Sequence, residues 1–326
     1  MRAYIIRRAL LIIPTVILAS MIVFAVIRLI PGDVIDQMVG DMVKVTEHDR
    51  AAIEHMLGLD APVHIQYVRW VGLAPDPEKG FQGILQGNLG RSLWKNTPVT
   101  EEILNRLPVT FELGLLALLI AQLIALPIGI FSAIRQDTFL DYIARSVAIA
   151  FIAVPGFWVA TLIMVYPPLW WNWSPPMWYV AFLDNPVENL AVFIIPACIL
   201  GMALSGVTMR MTRTMMLEVL RQDYIRTAWA KGIRERVVVV RHALKNALIP
   251  VITILGLQMP IMIGGTVIIE QIFNLPGMGR LFLDSINRRD YPFVSGINVL
   301  LAAFGMFLIL LTDLSYAYLD PRVRYR

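Results

Sequence analysis

Three histidines with acidic neighbours are the first side chains in this chain whose types suit a metal ion. His48, His55 and His64 lie in or beside the stretch TEHDRAAIEHMLGL. His48 and His55 are two helical turns apart, and no tight ligand spacing of the kind found in zinc sites occurs. Solvated surface histidines are therefore the preferred interpretation, and no metal site is predicted.

Residues for nucleotide or thiol chemistry are equally sparse. No lysine follows a glycine anywhere, so the chain has no G-x-x-x-x-G-K-[ST] phosphate loop and cannot hold ATP in that way. Gly277 and Gly279 in FNLPGMGRL resemble a dinucleotide fingerprint only superficially, since no strand precedes them. Cys198 is the single cysteine, which excludes disulfides and thiolate metal sites within the chain. We expect no cofactor on this chain.

The most distinctive polar stretch is DYIRTAWAKGIRERVVVVRHALKNALIP, residues 223–250. Asp223 is expected to cap a short helix from Tyr224 to Lys231, and Gly232 is expected to end it. The predicted apolar stripe combines Ile225, Ala228, Trp229 and Gly232. The residues after Gly232 are predicted to continue as a basic amphipathic helix, despite four valines in a row.

Three functions remain open for this basic loop on its residues alone. Its charge could set membrane topology and lie on anionic headgroups, which explains Lys and Arg but not the helix boundaries. Nucleic-acid binding is suggested by the pI of about 9.3 but weakened because membrane topology already explains the basic excess. The third possibility is docking of the short helix to a cytosolic protein.

The elements that must position this loop are membrane helices. A hydrophobic content of 57% with only 16% charged residues exceeds the range of soluble domains. Apolar stretches long enough to cross a bilayer recur six times. We predict an all-α integral membrane protein with spans at about 10–30, 110–134, 146–166, 190–209, 247–269 and 294–314.

Charge distribution predicts that both termini lie in the cytoplasm, because Lys and Arg concentrate in the segments on that side and most densely over 210–246. The predicted organisation is a tail and first span over 1–30, an extracytoplasmic cap over 31–108, a five-helix core over 109–316 and a cytoplasmic tail over 317–326. The apolar run after MRAYIIRR is too long for a signal sequence, so we expect an uncleaved first span.

Ionisable residues are rare inside the predicted spans. Arg28, Glu112 and Glu270 fall near outer ends, and Asp313 falls near the inner end of the sixth span. This scarcity argues against a proton-driven carrier and against catalysis within the membrane. Prolines and glycines such as Pro155, which are plentiful in the spans, could serve packing or a gated passage. The tryptophans of PPLWWNWSPPMWYV are interpreted as an aromatic belt at the outer surface.

Several motifs resemble those of ABC transporter permease subunits. The coupling-loop signature E-A-A-x-x-x-G falls on Arg226, Thr227, Ala228 and Gly232, with substitutions at its first two positions. DYIRTAWAKG matches the form D-Y-I-R-T-A-x-A-K-G of the oligopeptide and dipeptide branch at every fixed position. RRALLIIPTVILASMIVFAVIRLIPGD, NLGRSLWKNTPVTEEILNRLPVTFELGLLAL, IGGTVIIEQIFNLPGMGRL and DLSYAYLDPRVRY are similar to the first permease of such importers.

The resemblance implies the type I permease fold and a subunit that forms half of a path for dipeptides or oligopeptides in a prokaryotic inner membrane. It implies two cytosolic ATPases that carry ATP and Mg, a second permease, expected to be a paralogue, and an extracytoplasmic solute-binding protein, with no nucleic acid. The residues it assigns to ATPase coupling are Asp223, Tyr224, Arg226, Thr227, Ala228, Lys231 and Gly232. Nickel chelates or another small solute are the alternative substrates, and a channel or membrane-embedded enzyme is the alternative class.

Overall fold

The computed structural model describes residues 2–29, 54–55, 59–76 and 80–319, and their regular structure is helical apart from two isolated antiparallel bridges. The principal helices are α1 (Arg2–Leu29), α2 (Val63–Val71), α3 (Val99–Ile134), α4 (Phe139–Ala153), α5 (Gly156–Trp171), α6 (Pro186–Leu220), α7 (Asp223–Ala230), α8 (Glu235–Val237), α9 (Leu244–Ile272), α10 (Met278–Asn287) and α11 (Tyr291–Leu319). A π-helical segment, Val238–Ala243, joins α8 to α9. The all-α prediction is confirmed.

Four helical stretches in the described part of the chain are long and apolar enough to cross a membrane: Val99–Ile134, Pro186–Leu220, Glu235–Pro260 and Tyr291–Thr312. They overlap the second, fourth, fifth and sixth predicted spans. The first predicted span coincides with α1, whose apolar part, Leu10–Val26, is somewhat shorter. The third predicted span overlaps two helices rather than one.

The break between these two helices lies at Val154 and Pro155, where α4 and α5 meet at 87°. Val154 has extended backbone angles, φ −85° and ψ 119°. A residue that precedes proline is disfavoured in the helical region, and the proline itself has no N–H to donate to the preceding turn. The span predicted over 146–166 is therefore a bent pair of helices, because the proline ends α4.

The chain forms two compact units. The first is built mainly from Val109–Leu275, and the second contains the described residues between 6 and 108 together with Pro276–Met306. The core of the first unit joins α3, α5, α6 and α9 through Leu113, Ala160, Phe193 and Ile269, all of which are almost completely buried. These apolar side chains hold the helices that lead to the basic loop.

The second unit has its own core and one buried acid. Leu89 and Ile103 pack against Met278 and Ile297. Asp290 accepts a hydrogen bond from Ser92 Oγ at 2.5 Å and another from the Leu93 N–H at 3.1 Å. Burial raises the pKa of Asp290, while these hydrogen bonds oppose that shift. His48 lies outside the described residues.

Close contact between α6 and α4 depends on Gly206. A Cβ atom at this position would lie 2.7 Å from the carbonyl oxygen of Ala148, closer than real Cβ atoms come to a neighbouring atom. Gly206→Ala should force the two helices apart and destabilise the protein by about 1–3 kcal/mol, as overpacking of a core does. Thermal unfolding in detergent measures this effect.

Gly265→Ala is the matched control, because its Cβ would meet Leu200 Cδ2 at an ordinary 3.8 Å. This variant should keep or slightly raise the unfolding temperature, since alanine favours a helix by about 1 kcal/mol over glycine. Equal unfolding temperatures for Gly206→Ala and Gly265→Ala would contradict the close packing.

Candidate functional site

The short helix α7 in the basic loop begins one residue earlier than a cap at Asp223 would give. Gln222 occupies the cap position with extended angles, φ −71° and ψ 147°, and Asp223 is the first helical residue. The prediction that Asp223 caps the helix was therefore wrong. Its carboxylate still favours this end, because negative charge in the first turn complements the helix dipole. Arg226 Nη1 lies 3.5 Å from Asp223 Oδ1.

One face of α7 is anchored in an apolar cluster, which we call the loop core. Ile225 is completely buried and Ala228 is 8% exposed. The other buried members of the loop core are Ala133, Met216, Val238, Val239, Ala243 and Ala247. They come from α3, α6, the π-helical segment and α9. The loop core thus ties α7 to three of the long helices.

The predicted stripe is buried only in part. Ile225 and Ala228 point inward, whereas Trp229 is 42% exposed. A helix advances about 100° per residue, so positions three apart share the buried face while Trp229 lies at its edge. Trp229 is the exposed aromatic side chain that the stripe interpretation did not anticipate.

The residues predicted for coupling lie mostly on the opposite, exposed surface. The exposed members are Asp223, Tyr224, Arg226, Thr227, Lys231 and Gly232. Ala228 is the buried exception. Tyr224 Oη accepts a hydrogen bond from Asn246 Nδ2 at 2.8 Å, which ties this surface to α9. The arrangement presents mixed charge with two aromatic rings, Tyr224 and Trp229, on a helix that the loop core holds in place.

Gly232 ends α7 through a pair of backbone hydrogen bonds. The Gly232 N–H donates to Trp229 O at 2.9 Å, and the Ile233 N–H donates to Ala228 O at 3.3 Å. This is the Schellman pattern, which requires a left-handed residue. Gly232 has φ +73°, as its predicted role requires, and a Cβ there would meet no atom within 4 Å. The end of α7 is therefore fixed in direction and open on its surface.

The chain after Gly232 is helical, as predicted. Glu235–Val237 forms a turn of α-helix, Val238–Ala243 is π-helical, and Leu244–Ile272 is α-helical. The four valines do not form a strand. They lie in this helical path, where Val238 and Val239 are buried. Short π-helical segments often occur at functional sites.

Sequence reasoning missed a buried ion pair next to the loop core. Asp141, in the first turn of α4, is completely buried. Arg213 of α6 donates to it from Nε and Nη2, both at 2.8 Å, and Ser132 of α3 donates to the same carboxylate. Asp141 and Arg213 lie between predicted spans and 72 residues apart, so no local pattern links them. We call Asp141, Arg213 and Ser132 the buried triad.

No three potential metal ligands among the His, Cys, Asp and Glu residues of the described segments come together. His55 Nε2 lies 4.0 Å from Asp60 Oδ2, and both side chains are largely exposed. His64 belongs to α2. The described part of the histidine stretch therefore provides no metal centre.

Comparison with known proteins finds two families that match this sequence and a solved structure with a similar fold. Residues 125–325 match the family described as "Binding-protein-dependent transport system inner membrane component", and residues 1–114 match its N-terminal companion family. A crystal structure of an amino acid ABC transporter with histidines covers 68% of this chain and 94% of its own, with a TM-score of 0.50 and 15% identity. At that identity the likeness concerns the fold alone.

Relatives match over the whole chain. A putative peptide transport system permease protein of Brucella abortus is 38% identical over 325 residues, with 100% of both chains covered. The oligopeptide transport system permease protein AppB of Bacillus subtilis is 38% identical, and the dipeptide transport system permease protein DppB of Escherichia coli is 35% identical; both comparisons also cover 100% of each chain. The chain therefore belongs to the family of inner membrane components of binding-protein-dependent transport systems.

Proposed function

We propose that this chain is a permease subunit of an ATP-driven peptide importer and that α7 couples it to a cytosolic ATPase. The observation that carries the proposal is the construction of α7: it buries Ile225 and Ala228 against the long helices and leaves its other face exposed. A helix held in this way moves with the helices beneath it. Force applied to its outer surface would reach the membrane helices.

A protein partner suits the exposed surface of α7 better than lipid or nucleic acid does. Asp223 and the two aromatic rings share this surface with Arg226 and Lys231. A surface that only attracts anionic headgroups or phosphates needs neither the acid nor a rigid end at Gly232. Aromatic and arginine side chains together are typical of energetic centres in protein interfaces.

The proposed assembly contains a second permease, expected to be a paralogue, and two cytosolic ATPases that bind ATP and Mg. An extracytoplasmic binding protein would deliver the substrate. Peptides are the proposed substrate class because full-length relatives carry peptide, oligopeptide and dipeptide transport names. ATP hydrolysis is assigned to the partner chains because this chain has no phosphate loop.

The proposed topology has six spans with both termini in the cytoplasm, so that α7 faces the ATPases and 31–108 lies outside. The four long apolar helices and the bent pair α4–α5 support five of these spans by length. The density of Lys and Arg around α7 supports its cytoplasmic position. Exposed apolar side chains on α1, such as Leu10 and Leu18, are expected to contact membrane lipid.

Affinity purification of the tagged chain from its native membrane in mild detergent tests this proposal. Mass spectrometry should identify a second permease and chains that contain a phosphate loop, and an accompanying binding protein would lead to the substrate. Recovery of the chain alone, under conditions that preserve a known complex of this kind, would overturn the importer assignment and favour a channel or membrane enzyme.

Trp229 is expected to be an anchor for the ATPase. Trp229→Ala removes a partly exposed aromatic ring from α7. Interface tryptophans often contribute 2 kcal/mol or more, so recovery of the ATPase at limiting concentration should fall about thirtyfold. Trp178→Ala is the control because Trp178 is 83% exposed and lies on the side that we assign to the outer surface. Equal recovery from both variants would contradict the anchor role.

A further inference from the structure

The buried triad joins three helices at one carboxylate. Arg213 binds Asp141 in the two-pronged arrangement that matches a guanidinium to a carboxylate. Ser132 adds a hydrogen bond from α3, and the Asp137 N–H donates to Asp141 Oδ2 at 3.0 Å. The carboxylate is thus held by several donors that approach from different directions. Sliding or rotation of any one helix would break at least one of these bonds.

A second cation lies at the same carboxylate. Arg145 Nη2 is 3.4 Å from Asp141 Oδ2, and its guanidinium also lies over the ring of Tyr142, 4.3 Å from the centroid. Arg145 keeps 37% of its side chain exposed, whereas Arg213 keeps 18%. Arg145 can therefore turn toward solvent if Asp141 is lost, but Arg213 is largely confined.

A buried ion pair is poor evidence for a stability device. Removing two charges from water is costly, and apolar residues of similar volume often give a protein that is equally stable. The better-attested benefit of such a pair is a fixed geometry between the elements that it joins. The triad therefore suggests that the relative position of α3, α4 and α6 matters to the protein.

The triad is continuous with the loop core beneath α7. Ser132 directly precedes Ala133, and Arg213 precedes Met216 by less than one helical turn. Ala133 and Met216 are both buried in the cluster that receives Ile225 and Ala228. About one turn before Ser132 in α3, a Cβ on Gly129 would lie 2.9 Å from Met209 O, so the backbones of α3 and α6 are close here.

We propose that Asp141, Arg213 and Ser132 are positioning residues that lock the ends of α3, α4 and α6 nearest α7 into one body. A displacement of α7, which the loop core passes to α3 and α6, then moves α4 with them. This inference rests on the proposed coupling role of α7. The triad acts by keeping the work of the ATPase from being lost in local movement.

The test is to neutralise the pair and measure transport per ATP hydrolysed. Asp141→Asn with Arg213→Gln removes both charges, so that neither position keeps a confined charge without a partner, and retains polar side chains at both positions. The transporter that carries this double variant is reconstituted in proteoliposomes with its partner chains. Uptake of short tritiated peptides and release of phosphate are measured together. We expect near-normal abundance and continued ATP hydrolysis, but about tenfold fewer peptides transported per ATP.

If the triad only stabilises the fold, its loss should lower peptide transport and ATP hydrolysis in proportion. An unchanged number of peptides transported per ATP in the double variant would therefore overturn the lock. If the double variant fails to assemble, Ser132→Ala provides the same readout. It removes both hydrogen bonds of Ser132 Oγ, the one it donates to Asp141 and the one it accepts from Arg213 Nε, and leaves the ion pair in place. The number of peptides transported per ATP by Ser132→Ala should fall about threefold, and a wild-type number would again overturn the lock.

The outcome for the wild-type protein separates this inference from the proposed function. Absence of any ATP-driven peptide uptake by the wild-type assembly would remove the coupling role of α7 and the lock with it. Tight coupling in the wild type together with equally tight coupling in the double variant would remove the lock alone.

Discussion

Gly232→Asp is expected to abolish ATP-driven uptake while the chain remains in the membrane at near wild-type abundance. Gly232 has φ +73°, and a Cβ would meet no atom of the chain within 4 Å. The fold therefore has room for a side chain, with a backbone strain of about 1–2 kcal/mol. The new carboxylate would project at the open end of α7, where the proposed ATPase surface must approach closely. Uptake by membrane vesicles and immunoblotting of the same vesicles measure the two quantities.

Gly232→Asn is the matched control for this prediction. Asparagine is nearly equal in size to aspartate, and both tolerate left-handed backbone angles better than other residues do. The backbone strain is thus similar, and only the charge differs. We expect Gly232→Asn to keep a measurable part of the uptake. Normal uptake by Gly232→Asp at normal abundance would refute the close approach of a partner to this end of α7.

Asp141→Asn is expected to reduce the amount of folded protein sharply. It leaves Arg213 with only 18% of its side chain exposed and without its carboxylate partner. Loss of one partner from a buried pair destabilises a protein by about 3–5 kcal/mol, because the remaining charge stays desolvated. Fluorescence-detected size-exclusion chromatography after heating, together with membrane abundance, measures this loss.

Asp137→Asn is the matched control for Asp141→Asn, because it removes an acidic side chain without leaving a buried charge unpaired. Asp137 lies four residues earlier and is exposed, with φ +60°, which asparagine tolerates. Its N–H still donates to Asp141 in the variant, because that bond belongs to the backbone. Asp137→Asn should therefore unfold within about 2 °C of the wild type, as expected for a surface change of less than 0.5 kcal/mol. Equal stability of the two variants would show that the pair is not buried.

Local features of the loop were predictable from the sequence because neighbouring residues determine them. The stop at Gly232 follows from its left-handed angle, and the burial of Ile225 and Ala228 follows from helical spacing. The start of α7 was misplaced by one residue because Gln222 took the cap position without a side-chain hydrogen bond. Preference for aspartate at a cap is a tendency that the preceding turn overrode here.

Long-range contacts were not predictable in the same way. Arg213 and Asp141 are 72 residues apart, and Ser92 and Asp290 are 198 apart, so no local pattern links either pair. Each side chain alone resembles an ordinary polar residue near the end of a helix. Only the packing of α3, α4 and α6 brings Asp141 into a buried position. The proline at position 155 is a local signal for a bend. The angle of the bend, 87°, depends on where α4 and α5 pack.

Site-specific photocrosslinking from α7 in native membranes identifies the protein that this helix contacts. Benzoylphenylalanine would replace Trp229, and in a control it would replace Phe139, which is 78% exposed on α4. Position 229 is expected to form an adduct with a chain that contains a phosphate loop, and position 139 is not. The absence of such an adduct at position 229, or equal adducts at both positions, would contradict the claim that α7 is the helix that docks to the ATPase.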